Sequence, residues 1–371
     1  MVCGGNLCVV APELYDFPTV TSDCRPWPAG RAVATCQACG IMQRSLLPDA
    51  ASRIRQVYTG YEMFKHSNIG SDQLNFSPQG IPQARTEKIL QFIEGKLHHK
   101  PASVLDIGSG SGAGLIALAN QFPSAKIYGF EPNDKPAERQ AAMPDNVVSI
   151  VSELPAATEK YDLVTLFHVL EHVEEVFDLL RFIGSVLSSH GNLLIQVPYA
   201  TMGPFDYVIS DHVWHFTQQS MVAILHKANF HVIYIGHELI EKELTVVASY
   251  GAEAPQFKGF DESKQTVDSI TWLLDYKQFL DAVKRDACPC AVYGTGPSGA
   301  WAGQVLGDCV TAYIDDDPAR VNATFNGKPV LPPHAIAAGM PVIAPFPDQQ
   351  FRWIAEKNKA LNILQPFAKA A

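Results

Sequence analysis

A chain of 371 residues, with 38 acidic and 28 basic side chains and a net charge of −10, is too long for one ordinary core and reads as two or three globular domains. No stripe of Lys and Arg interleaved with aromatics runs through it, which argues against a nucleic-acid partner, and no apolar run is long enough to span a bilayer. The first residues lack the basic and apolar regions of a secretory signal, so the expected compartment is the cytoplasm.

Five of the eight cysteines fall in the first 39 residues. In a reducing compartment these are thiols or metal ligands rather than disulfides. Cys36 and Cys39 form a C-x-x-C turn, with Cys3 and Cys8 as a looser pair upstream, a layout that predicts a structural Zn2+ held by four thiolates. Cys24 is an alternative to either upstream ligand, and the competing reading is a set of buried thiols. An aromatic connector follows, in which Tyr58 and Tyr61 line a pocket or pack between domains, then an amphipathic helix near Gln83 to Leu97.

From Pro101 the pattern alternates strand and helix, opening with "VLDIGSGSGAGLIAL". Gly108, Gly110, Gly112 and Gly114 sit on a strand-to-helix turn where backbone approaches a ligand closely. A G-x-G-x-x-G/A turn serves both nicotinamide dinucleotides and S-adenosylmethionine. Asp106, two positions before the first glycine, discriminates: a carboxylate repels a pyrophosphate but tolerates a sulfonium and an ammonium. Glu131, ending the next strand in "IYGFEP", is expected to accept the ribose hydroxyls, and Glu153, after the third strand, to meet the adenine amino group.

The strands "YDLVTLF" and "NLLIQVPY" continue the parallel sheet, and "HVIYIGHE" with "LTVVASYG" closes it as a hairpin. After a polar break comes a long helix, Ser263 to Arg285, then a second α/β unit with "VYGTGPSG". Its Gly294, Gly296 and Gly299, with Asp315, Asp316 and Asp317 further on, match a dinucleotide turn, so a nicotinamide oxidoreductase has to be carried as an alternative. Cys288 and Cys290 lack a second pair and read as structural.

"VLDIGSGSG", "GFEP" and the run from Tyr161 to Pro198 resemble class I S-adenosylmethionine-dependent methyltransferases. The resemblance implies cofactor contacts from Asp106, Gly108 and Gly110, ribose contact from Glu131, and contact of the backbone near Phe167 and His168 with the methionine end. With both flanking units included, the chain resembles three-domain sugar C-methyltransferases that act on nucleotide-linked keto-deoxysugars. That implies an α/β fold with a Rossmann-like methyltransferase core, a small N-terminal zinc-binding domain over residues 1–65, the methyltransferase domain over 66–250, and a C-terminal α/β Rossmann-like domain over 251–371 that holds the substrate's nucleotide.

Methylation at carbon needs a base to form the enolate. His212, in a loop after the "VPY" strand, is the expected base, with Asp211 as its partner in the acid-histidine pair that the resemblance implies. Ile209 stands where those enzymes carry a tyrosine, leaving Tyr207 and Tyr199 as stand-ins, and His172 with Glu171 is a second candidate or a packing element. The expected activity is methyl transfer from S-adenosylmethionine to a small molecule, most simply a nucleotide-linked keto sugar. The alternatives are O- or N-methylation of another metabolite, a nicotinamide oxidoreductase, and a non-catalytic protein that senses the cofactor.

Overall fold

In the computed structural model, residues 5–30, 32–37, 40–44, 56–57, 74–75, 83–132, 140–240, 242–251, 261–286 and 288–366 are described. Cys3, Cys39, Tyr58 and Tyr61 lie outside these residues. In the N-terminal unit, β1 (Leu7–Ala11), β2 (Val33–Cys36) and β3 (Met42–Arg44) pair antiparallel. The amphipathic helix α1 (Arg85–Ile93) buries Ile89, Leu90 and Ile93 against the central sheet, each worth about 2 kcal/mol of apolar burial.

The central unit then alternates β4 (Ser103–Ile107), α2 (Ala113–Gln121), β5 (Lys126–Phe130), β6 (Val147–Val151), β7 (Tyr161–Phe167), α3 (Val176–Val186) and β8 (Leu187–Pro198). These strands are parallel, and their apolar runs are buried because helices cover both faces. Beyond them come β9 (Trp214–His215), α4 (Gln218–Lys227), β10 (Phe230–Gly236) and β11 (Glu243–Tyr250). α4 opens with a capping box: Thr217 Oγ1 accepts the Ser220 N–H at 3.1 Å, and Ser220 Oγ accepts the Thr217 N–H at 2.9 Å. The seven strands lie in the order β6-β5-β4-β7-β8-β11-β10, with β11 antiparallel to both neighbours, so the expected terminal hairpin is present. This is a Rossmann-like α/β core.

The long helix α5 (Ser263–Asp286) ends within one residue of its expected boundary. It leads to β12 (Cys290–Tyr293), α6 (Pro297–Leu306), β13 (Val310–Ile314), β14 (Thr324–Phe325), β15 (Lys328–Leu331), β16 (Pro341–Ile343), α7 (Asp348–Lys357) and β17 (Asn362–Ile363). Their sheet runs β14-β15-β13-β12-β16-β17 and is parallel except at β14.

The loop after β8 joins all three units. Its strand β9 pairs with β3 and becomes the fourth strand of the N-terminal sheet. Phe205, from the same loop, packs edge-on against Trp272, Tyr276 and Trp301 of the C-terminal unit, and Trp301 Nε1 donates to the Pro18 carbonyl at 2.8 Å. Arg44 is 1% exposed and fixes the loop's backbone, donating to the carbonyls of Tyr207 (2.7 Å) and Ile209 (3.1 Å).

Candidate active site

In the strand order β5 and β6 lie to one side of β4, and β7 and β8 to the other, so a crevice opens between the loops after β4 and β7. Gly108 has φ +75°, and a Cβ there would lie 2.4 Å from Cγ2 of Val169, so only glycine lets these loops meet. The Gly110 N–H donates to Glu131 Oε2 at 3.0 Å, which holds the expected ribose acid against the turn. Asp106 is 2% exposed and accepts from the Thr165 hydroxyl at 2.6 Å. Burial raises its carboxyl, the Thr165 bond opposes this and the Glu131 charge adds to it, so that it is pushed up to about 7. Glu153 is exposed just beyond β6, and Phe167 is half-buried at the end of β7. His168 follows with φ +54°, a left-handed conformation that is uncommon outside glycine.

From the end of β7 onward the chain enters a largely buried polar cluster. His168 Nδ1 lies 3.1 Å from Glu171 Oε1 and its Nε2 lies 3.2 Å from Glu243. Glu243 is also paired with Arg85 at 3.3 Å and accepts from Gln196 at 2.7 Å. His172, in the short 3-10 helix Leu170–His172, points Nδ1 at the Asp211 carbonyl (3.1 Å) and carboxylate (3.4 Å). Burial alone would lower His172, but Asp211 and then Glu171 outweigh it and push the ring up to about 9. The rings of His172 and His212 meet edge to face, with centroids 4.7 Å apart.

The expected Asp211–His212 pair does not form. His212 Nδ1 donates to Asp206 Oδ1 at 2.5 Å, and His215 Nδ1 to the other oxygen of the same carboxylate at 2.6 Å. Neighbouring residues in a turn point apart, so Asp211 serves His172 instead and is itself held by the Ser22 N–H (2.8 Å) and hydroxyl (2.5 Å). Burial would raise Asp206, yet its two histidines hold it below the usual carboxylate range, and Asp211 is held down in the same way by His172. His212, the expected base, is 4% exposed. Asp206, Ser22, Arg85 and Glu243 were not anticipated. Asp206 had one available signal, its spacing from two histidines in the same loop.

Of the two tyrosine stand-ins, Tyr207 touches this cluster through its ring, tilted against His215 with centroids 5.2 Å apart, while the Tyr199 hydroxyl is bonded elsewhere. Tyr207 is 1% exposed with its hydroxyl 3.9 Å from the Met42 sulfur, because its ring belongs to the core shared with the flanking units. Tyr199 donates to Glu262 at 2.5 Å, anchoring the start of α5.

The zinc set fares differently from its spacing. Cys36 pairs with Leu7 across the strands and Cys8 with Thr35, so strand alternation turns the two thiols to opposite faces, Cys8 exposed and Cys36 buried. They do not fit one tetrahedral ion. Cys24 packs instead with the C-terminal unit, its carbonyl accepting from Asn326 at 3.2 Å.

In the second glycine turn, a Cβ on Gly299 would lie 2.0 Å from the Gly294 carbonyl oxygen, the close strand-helix packing of a dinucleotide turn. Its acids are already engaged: Asp315 accepts from the Thr295 hydroxyl (2.5 Å) and lies 3.8 Å from Arg320, while Asp316 accepts from Tyr293 (2.7 Å) and pairs with Lys357 (2.8 Å). No helix of the described residues is long and apolar enough to cross a membrane.

Residues 81–235 match the sequence model of a family described as a methyltransferase domain. Over 121 residues, 30% of this chain, the sequence is 30% identical to methyltransferase str3 of Strobilurus tenacellus, of which 43% is covered. It is 26% identical over 113 residues to trans-aconitate 2-methyltransferase of Escherichia coli, covering 30% of this chain and 45% of that protein. The chain spans less than half the length of these curated relatives. A solved structure of the plantazolicin methyltransferase BpumL in complex with SAH overlaps 44% of this chain and 81% of its own, with a TM-score of 0.38 and 14% identity.

Proposed function

We propose that this chain transfers a methyl group from S-adenosylmethionine to a small-molecule acceptor. The observation that carries the reading is the pair of carboxylates at the first glycine turn, Glu131 bonded to Gly110 and Asp106 buried behind it, within a segment that matches a methyltransferase domain. The Glu131 carboxylate, with a buried Asp106 carboxyl behind it that ionises most readily beside a cation, disfavours a pyrophosphate and favours a cofactor whose far end is a cation. Asp106, Gly108, Gly110 and the backbone at Phe167 and His168 border the cofactor, Glu131 takes the ribose hydroxyls and Glu153 faces the adenine. The imidazoles of His172 and His212 stand toward the acceptor, where a proton has to be lost before or as the methyl arrives. The finer acceptor reading, a nucleotide-linked keto-deoxysugar methylated at carbon with its nucleotide on the C-terminal unit, is supported by the sequence resemblance and is tested by mass spectrometry of a nucleotide-sugar panel incubated with enzyme and cofactor.

Calorimetric titration with S-adenosylhomocysteine and with NADH tests the class: tight binding of the first and none of the second is expected, and the reverse would reject the proposal. Glu131→Ala removes a charged acceptor of two hydroxyl hydrogen bonds, so S-adenosylhomocysteine should weaken by about 2 kcal/mol, roughly 30-fold. Unchanged affinity would reject the ribose assignment.

Cofactor affinity should also depend on pH through Asp106. Its carboxyl titrates near 7 in the free protein, and the cofactor's ammonium favours the ionised form. Binding below that value must therefore expel a proton, so affinity falls as pH drops below about 7 and is flat above it. An Asp106→Asn variant with the wild-type pH profile would show that another group is responsible.

A further inference from the structure

Glu171, His172 and His212 each bring a ligand atom within 4.8 Å of the other two. Their other polar atoms are engaged: His212 Nδ1 with Asp206, His172 Nδ1 with Asp211, and Glu171 Oε1 with His168. What remains is the Nε2 of each ring and Glu171 Oε2, and that oxygen is buried with no hydrogen-bond partner among the described residues. A carboxylate oxygen of a fully buried residue, left without a hydrogen-bond partner beside two imidazoles, is suited to hold a cation.

The arrangement around it is that of metal-ligating histidines, in which one ring nitrogen faces the ion and the other donates to a carboxylate that fixes the ring's tautomer. Here both rings have such a carboxylate, supplied by different parts of the loop, and the third ligand is oriented by His168. Two imidazoles and one carboxylate leave coordination positions open, and nitrogen donors select a first-row divalent ion over Mg2+ or Ca2+.

We propose that Glu171, His172 and His212 form a binding site for one divalent first-row cation on the acceptor side of the crevice, an inference that rests on the methyltransferase reading for what the ion would do. As the ion enters, the ring proton of His172 passes to solvent. An acceptor hydroxyl or enolisable carbonyl oxygen then occupies an open position, and the acceptor loses its proton to solvent as the metal-held anion forms. The anion's electron pair makes the new bond to the methyl carbon, while the pair of the broken carbon–sulfur bond stays on sulfur, leaving a neutral thioether.

The test uses the full chain, stripped with a chelator and titrated with Co2+. One equivalent is expected to bind with visible ligand-field bands and no sulfur-to-cobalt charge-transfer band, and Glu171→Gln and His212→Asn should each weaken it at least tenfold while keeping the wild-type circular dichroism. Because either variant can fail to fold, the unmodified protein is also loaded with one equivalent of Cu2+, whose electron paramagnetic resonance spectrum should carry nitrogen hyperfine structure from two imidazoles. Failure to bind Co2+, binding with thiolate bands alone, folded variants of unchanged affinity, or a Cu2+ spectrum without imidazole nitrogen would each overturn the site. Titration of the stripped protein with S-adenosylhomocysteine separates the two readings: if it binds while Co2+ does not, the metal site falls and the methyltransferase stands.

Discussion

His212→Asn is expected to lower turnover by about 10²-fold or more while leaving S-adenosylhomocysteine affinity within a few-fold of wild type. The asparagine amide is small enough for the site and can still donate to Asp206, which lies 2.5 Å from Nδ1 of the native ring. It has no nitrogen lone pair to replace Nε2, so it neither takes a proton from the acceptor nor binds a cation. The cofactor groups at Asp106, Gly110 and Glu131 belong to the other loop of the crevice and are untouched. Single-turnover kinetics with a labelled methyl donor, alongside calorimetry, checks this. Near-native turnover would remove His212 from acceptor activation, and a parallel loss of cofactor affinity would place it in binding instead.

Asp206→Ala should cost the folded protein about 3–5 kcal/mol, because one carboxylate satisfies two histidines that are both nearly inaccessible to solvent. Urea unfolding followed by far-UV circular dichroism measures it, and a loss below 1 kcal/mol would mean that water or another group replaces the carboxylate. The same contact makes wild-type stability acid-sensitive in a defined direction. Asp206 has a folded pKa held below its unfolded value of about 4, so its contribution is present above that value and is lost as pH falls toward the folded one. His215 adds to the loss, since burial lowers its pKa and the unfolded ring takes up a proton below about 6.5. Asp206→Asn should flatten the acid limb of the stability curve.

Cys8 and Cys36 show how far spacing alone carries. A C-x-x-C turn is a local feature and reads directly from the chain, but whether Cys8 joins Cys36 depends on which strand faces pair, and the register puts them on opposite faces. The acid-histidine pair failed for the same kind of reason. Asp211 and His212 are adjacent in sequence, yet the turn that contains them sends one toward His172 and Ser22 and the other toward Asp206.

What the sequence determined by itself was the Rossmann-like core with its glycine turns and strand-end acids, because these rest on short-range rules: apolar runs of strand length, glycine where φ is positive, and carboxylates at the ends of parallel strands. Gly108, Gly110 and Glu131 meet where a single strand-turn-helix unit and its neighbour bring them. The tertiary structure alone decided the acceptor side. Ser22 and Asp211 are 189 positions apart, Arg85 and Glu243 158, and the loop from Pro204 to His215 has no period from which its inward face can be read. That loop takes its shape from Arg44, from β9 joining the N-terminal sheet, and from Phe205 packing under Trp301, and only when all three units are folded together do Asp206 and Asp211 each find their histidine.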